Sequence, residues 1–258
     1  MQKYSLTTQI KFLNLLKLTK ILNMKKHILI LLALIGMVNM RVIAQELTKA
    51  YMKYEITDVQ TESADDPNSE MIVNAVKGTI TKVYFDGPKS LTKISAMGGM
   101  VTTKIVTDKD GNAEMYMDAM GQKILTKMPK AEMEKMKNEE GPKMDYVHFK
   151  DKTKEILGYK AHLVKVKASG KDSDKMGDME FWVTDQIKTS AIVAQGVDNA
   201  DLGGFPLEFK IGVPGQFTMT SKLTELKKEF DNSVFEFDKK GYKEKSLEDL
   251  KNMGMGGF

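Results

Sequence analysis

The chain has 258 residues, no cysteine, 39 Lys or Arg and 35 Asp or Glu, for a formal net charge of +4. Seven of the bases and none of the acids fall in the first 44 residues, so residues 45–258 carry 32 bases against 35 acids, a net −3. That balance removes the support for a nucleic-acid binder, which needs a clustered positive surface. The missing cysteines exclude a disulfide scaffold or a lipid-bearing cysteine.

In chain order, a lysine-dotted apolar stretch (Ile10 to Leu22) comes first and reads as an upstream extension rather than an amphipathic surface helix. Met24-Lys25-Lys26-His27 then opens a second start. Ile28 to Val38 is apolar but for Gly36, and Val42-Ile43-Ala44 puts small residues at its exit. A charged start, a short apolar run and a small-x-small exit are the pattern of a cleavable secretory signal over residues 24–44. The apolar run is about half the ~20 residues that a spanning helix needs. The expectation is therefore a single exported domain over residues 45–258, periplasmic or secreted, with no transmembrane anchor after signal removal. Arg41 is the only arginine, so that domain has no guanidinium fork for bidentate recognition of phosphate or carboxylate.

Beyond the leader, alternation with period two dominates, which predicts strands. Ala50, Met52, Tyr54 and Ile56 share one face of the first, and an acidic loop from Thr61 to Glu70 follows. Strands are predicted over Thr79–Phe85, Leu91–Met97, Val101–Thr107, Ala113–Ala119 and Ile124–Met128, separated by Asp-Gly-Pro, Gly-Gly and Asp108-to-Asn112 turns. In the fourth of these, Met115 and Met117 lie on one face, opposite Glu114, Tyr116 and Asp118. Pro129 to Asn138 reads as a short helix with Met133 and Met136 on one face. Strands resume at Tyr146–Phe149, Tyr159–Ala168, Met179–Thr184, Leu207–Ile211 and Phe217–Leu226. Residues 190–204 give no clear pattern. Ser246 to Met253 reads as a helix with Ser246 and Asp249 as its capping box. The fold class that follows is mainly β (α+β): one strongly curved antiparallel sheet, a half-open barrel of about ten strands, with two or three helices on its concave face.

No catalytic constellation is present. His148 and His162 lack a nucleophile and oxyanion donors, and His162 aligns with Val164 and Val166 as a core-edge residue. Asp172-Ser173-Asp174 opens like a calcium loop, but Met176 and Val183 stand where oxygen ligands belong. Methionine is the unusual component, with sixteen beyond residue 44. Three readings stand side by side. The methionines fill an ordinary core. They line an adaptable apolar surface, with Met97, Met115, Met117, Met133, Met136 and Phe209 as the lining. Or they bind Cu(I) through soft thioethers, with Met97, Met100, Met115, Met117 and Met120 as ligands.

Several segments resemble a known family. Lys154-Glu155-Ile156-Leu157-Gly158-Tyr159-Lys160-Ala161, Met179-Glu180-Phe181-Trp182-Val183-Thr184-Asp185, Gly203-Gly204-Phe205-Pro206-Leu207 and Ser233-Val234-Phe235-Glu236-Phe237 resemble the domain of unknown function 4412 family. Through it the chain resembles the periplasmic lipoprotein carriers. The resemblance implies a curved sheet with covering helices around an apolar cavity for acyl chains, no catalytic residues and no cofactor. The carriers use arginine in handling cargo, which residues 45–258 lack, so the implication narrows to binding of a lipid or other apolar ligand. The expectation is a non-enzymatic cell-envelope binding protein. The alternatives are a methionine-based Cu(I) binder and an interaction or envelope-maintenance domain with no small ligand.

Overall fold

In a computed structural model of the chain, the described residues are 45–61, 69–138, 143–170, 173, 176–189, 199 and 201–252. Residues 1–44, where a leader and an upstream extension are expected, most of the acidic loop, the calcium-like Asp172 and Asp174, residues 190–198 and the tail from 253 lie outside them.

Alternating side chains make most of the described chain strand. In order the elements are β1 (Gln45–Glu46), β2 (Lys49–Thr61), α1 (Ser69–Val76), β3 (Ile80–Asp86), β4 (Lys89–Ala96), β5 (Val101–Thr107), β6 (Ala113–Ala119), β7 (Gln122–Met128), α2 (Lys130–Asn138), β8 (Lys143–Ile156), β9 (Tyr159–Ser169), β10 (Met179–Thr184), β11 (Ile187–Lys188), β12 (Phe205–Val213), β13 (Phe217–Lys227), β14 (Lys243–Glu244) and α3 (Leu247–Asn252). One large, strongly curved sheet of 12 strands runs in the order β14-β7-β6-β5-β4-β3-β2-β13-β12-β10-β9-β8. It is antiparallel except where β14 lies along β7, and β1 pairs separately with β11 in parallel.

The expected architecture is the one that forms, with 12 strands in the main sheet rather than about ten. Three two-residue strands are too short for alternation to register: β14 adds to the main sheet, while β1 and β11 form the separate pair. Helix α1 is a second addition. At eight residues it is shorter than the stretch over which a helical period can be read. Met97 leaves the strand in which it was expected and opens a 3-10 turn, Met97–Gly99. The capping box of α3 forms as read: the Asp249 amide donates to Ser246 Oγ, and the Ser246 amide donates to Asp249 Oδ2, both at 3.0 Å.

The main core lies on one face of the sheet, the inner face. There Met52, Tyr54, Phe85, Val164, Phe181, Leu207 and Leu223 are all 2% exposed or less. Tyr54 belongs there because its one polar atom is satisfied: the hydroxyl donates to the Pro206 carbonyl at 2.8 Å. Its complete burial pushes the phenol well above its ordinary range.

The outer face of β3–β7 is covered by the chain that follows β13. Phe230 packs on Tyr84 with ring centres 5.4 Å apart. Phe237 and Tyr242 meet Tyr116 edge-on at 5.0 and 5.2 Å. The Lys245 amide then donates to the Leu125 carbonyl at 2.9 Å. Lysines ride on this strap, Lys89 4.1 Å over the ring of Phe235 and Lys104 4.1 Å over that of Phe237. Burial beneath the strap, with Lys93 and Lys123 nearby, lowers the Lys104 pKa. Tyr116 is consequently 2% exposed. Alternation assigns Tyr116 to the face of Glu114 and Asp118 but does not say whether the chain returns to cover that face.

Candidate functional site: an uncharged inner face on β4 to β7

Register assigns every residue of these four strands to a face. Thr92, Ile105, Met115 and Thr126 stand side by side across β4, β5, β6 and β7. The same row continues through Val83 to Met52 in the main core. A parallel row runs Ile94, Thr103, Met117, Ile124. All the charged residues of these strands, Lys89, Lys93, Lys104, Glu114, Asp118, Lys123 and Lys127, alternate onto the outer face. There Glu114 accepts from the Tyr116 hydroxyl and from Lys239, and those contacts, the tyrosine's foremost, lower its pKa. The inner face of β4–β7 carries apolar side chains, threonines and a few small or amide residues.

On it Met115, Met117 and Ile124 are 3%, 6% and 5% exposed and pack with Ile105, Ala119 and Met128, in a cluster separate from the main core. Burying one such side chain contributes about 1.5–3 kcal/mol. Within this patch Thr126 is 0% exposed and its Oγ1 has no hydrogen-bond partner. Its neighbours are Met115 across the ladder and Ile124 and Met128 two residues away on the same strand. An unsatisfied buried hydroxyl costs about 1–3 kcal/mol, so this one calls for an explanation.

The six residues named as an apolar lining do not form one cluster. Met115 and Met117 lie together in the patch. Phe209 belongs to the main core, its ring 6.0 Å from those of Tyr54 and Phe181. Met97 is half-buried in the turn between β4 and β5. Met133 is half-buried on α2, which starts at the opposite end of the strands, where the Lys130 amide donates to Asn112 Oδ1 at 3.2 Å. The Met136 side chain lies outside the described residues. The copper set also divides. Met97, Met100 and Met120 gather at the turn end, with Met100 57% and Met120 76% exposed, while Met115 and Met117 are buried. Sequence reasoning missed Thr126, although alternation from Ile124 to Met128 puts it on their face.

The histidines sit elsewhere, on β8 and β9, with ring centres 6.0 Å apart. Burial, reinforced by His148 and Lys150 against the opposing pull of Asp185, lowers the His162 pKa. His162 is thus the core-edge histidine expected. Among the described residues no group of three or more His, Asp or Glu is placed to hold a metal. A cleft of about 330 Å³ opens between Leu157, Tyr159, Thr224, Glu225, Leu226 and Lys227, and none of the residues of the expected apolar lining or copper set lines it.

No family model matches the chain, so the resemblance to the domain of unknown function 4412 family stays a resemblance. No curated protein matches it either. Among solved structures the chain is similar to lipoprotein LppX of Mycobacterium tuberculosis, at 7% identity over 72% of this chain and 89% of that one, with a TM-score of 0.36. It is similar to LprF of Mycobacterium bovis at 9% identity over 71% and 88%, with a TM-score of 0.32. A LolA superfamily protein of Nitrosomonas europaea follows at 9% identity over 74% and 90%, with a TM-score of 0.30. Likenesses this distant decide neither a family nor a ligand.

Proposed function

We propose that the chain is a non-catalytic cell-envelope binding protein for a neutral apolar ligand, such as an acyl chain, held against the inner face of β4–β7. The observation that carries this reading is Thr126: one fully buried, unpartnered hydroxyl in a methionine and isoleucine patch on a face without charge. Small-molecule sites combine a mostly apolar lining with a few polar groups that fix orientation; once the covering side chains move aside, an ester carbonyl or hydroxyl of a bound lipid would give Thr126 its missing partner. A charged head group would have to shed its water against that face with no counter-ion, at a high cost, so the charged end of any amphiphile belongs outside. Flexible thioethers suit chains of varied shape. The proposed lining is Met115 and Met117 with Ile105, Ile124 and Met128, extended by Met97 at one end and by Met133 at the other. Phe209 would bound it toward the main core. The leader over residues 24–44 supports export.

Native mass spectrometry of gently purified protein tests the reading. The expected result is copurified neutral lipid, or uptake of a fluorescent acyl ester by stripped protein. Protein that is always ligand-free and takes up no acyl ester overturns it and leaves an interaction domain with no small ligand.

A further inference from the structure

The strands of the patch end in two neighbouring turns that carry three methionines. In the first, between β4 and β5, the Met100 amide donates to the Met97 carbonyl at 3.3 Å; in the second, between β6 and β7, the Met120 amide donates to the Met100 carbonyl at 3.1 Å. A backbone hydrogen bond therefore ties one turn to the next, and the three residues share one corner of the sheet.

Two of the three hold unfavourable backbone. Met97 and Met120 both sit at φ 51°, and among the described residues Leu157 is the only other non-glycine residue at positive φ. Glycine, asparagine or aspartate would occupy these positions with less strain, and both turns already use glycine beside them, at Gly98, Gly99 and Gly121. A methionine side chain gains nothing locally from the left-handed region, so its presence there points to a use for the thioether. Core packing is not that use for Met100 and Met120, which are more than half exposed.

We propose that Met97, Met100 and Met120 form a thioether site for a soft monovalent cation, Cu(I) or Ag(I). Thioethers select such ions over hard ones, and three rotatable bonds let each sulfur turn toward a common point. The chain has no cysteine to compete. Thioethers carry no charge; a carboxylate tied to the second turn is that of Asp118, whose Oδ1 accepts from the Gly121 amide at 3.2 Å. Lys123, opposite Asp118, is drawn over the Tyr242 ring on the outer face. Met115 and Met117 take no part, because their side chains are buried on the inner face. Met97 also bounds the proposed apolar lining, but Met100 and Met120 lie outside that lining, so cation binding at the turns is read separately from ligand binding on the inner face.

Anaerobic titration of the full chain with Cu(I) against a competing chelator tests it, together with X-ray absorption at the copper edge. The expected result is one equivalent bound with sulfur-only scattering. Affinity should weaken by about tenfold or more in M97L/M100L/M120L and stay unchanged in M115L/M117L. Oxidative footprinting of the unaltered protein gives a reading free of any variant: Ag(I) should protect Met97, Met100 and Met120 from conversion to sulfoxide. The proposal is overturned if the protein fails to compete with the chelator, if M97L/M100L/M120L binds as tightly, or if Ag(I) leaves those three methionines unprotected.

Discussion

Replacing Thr126 by valine exchanges a hydroxyl for a methyl and keeps the branched shape. Most substitutions destabilise, but here the opposite sign follows from the burial. Thr126 is 0% exposed with Oγ1 unpaired, and removing an unsatisfied hydroxyl recovers part of a penalty of about 1–3 kcal/mol. The methyl that replaces it contacts the Met115, Ile124 and Met128 side of the patch, worth up to about 0.8 kcal/mol. Thr126→Val is therefore expected to stabilise the ligand-free protein by about 1–2 kcal/mol. In a chain of this size each kcal/mol moves Tm by about 2–4 °C, so calorimetry of delipidated protein should show a rise of several degrees. The urea midpoint should increase at an unchanged slope. Retention of an acyl ester should fall by about fivefold, the value of one lost hydrogen bond of ~1 kcal/mol. A Tm that stays level or falls refutes the reasoning, because the hydroxyl would then already have a partner and need none from a ligand.

Three further outcomes are expected. Phe237→Ala should remove the edge-on contact with Tyr116 and part of the strap's apolar cover, costing about 2 kcal/mol in urea unfolding; an unchanged midpoint would show that the strap does not hold the outer face. His162 has a lowered pKa in the folded chain, from burial first and His148 second, so its neutral form is the one that folding favours. Stability is full above the ordinary histidine value of 6.5 and is lost as pH falls from there through the lowered folded value. Urea midpoints at about pH 7.5 and about pH 5 should differ less in His162→Gln than in the unaltered chain. Ser246→Ala should open only the end of the chain, with amide exchange at Asp249 about fivefold faster and the main transition unmoved.

The sheet was legible because its strands alternate cleanly and their turns carry the expected chemistry, as at Asp108, whose Oδ1 accepts from the Asp110 and Asn112 amides. The helix at α3 was legible for a similar reason, a local capping signal that both partners satisfy. What could not be read depends on contacts between residues far apart in the chain. Tyr116 is covered by Phe237 and Tyr242, and no local pattern in β6 announces them. Likewise, periodicity put Met115 and Met117 on an inward face but could not tell that they form a patch apart from the core that holds Phe209. Thr126 reads as an ordinary strand threonine until its burial and its missing partner are known.

The proposal of an apolar ligand on the inner face of β4–β7 is tested most directly by methyl spectra of methionine-labelled protein titrated with a neutral acyl ester. The Met115 and Met117 methyl signals should shift and saturate, and the exposed Met100 and Met120 signals should stay in place. Signals of Met115 and Met117 that do not move at saturating ester would contradict it.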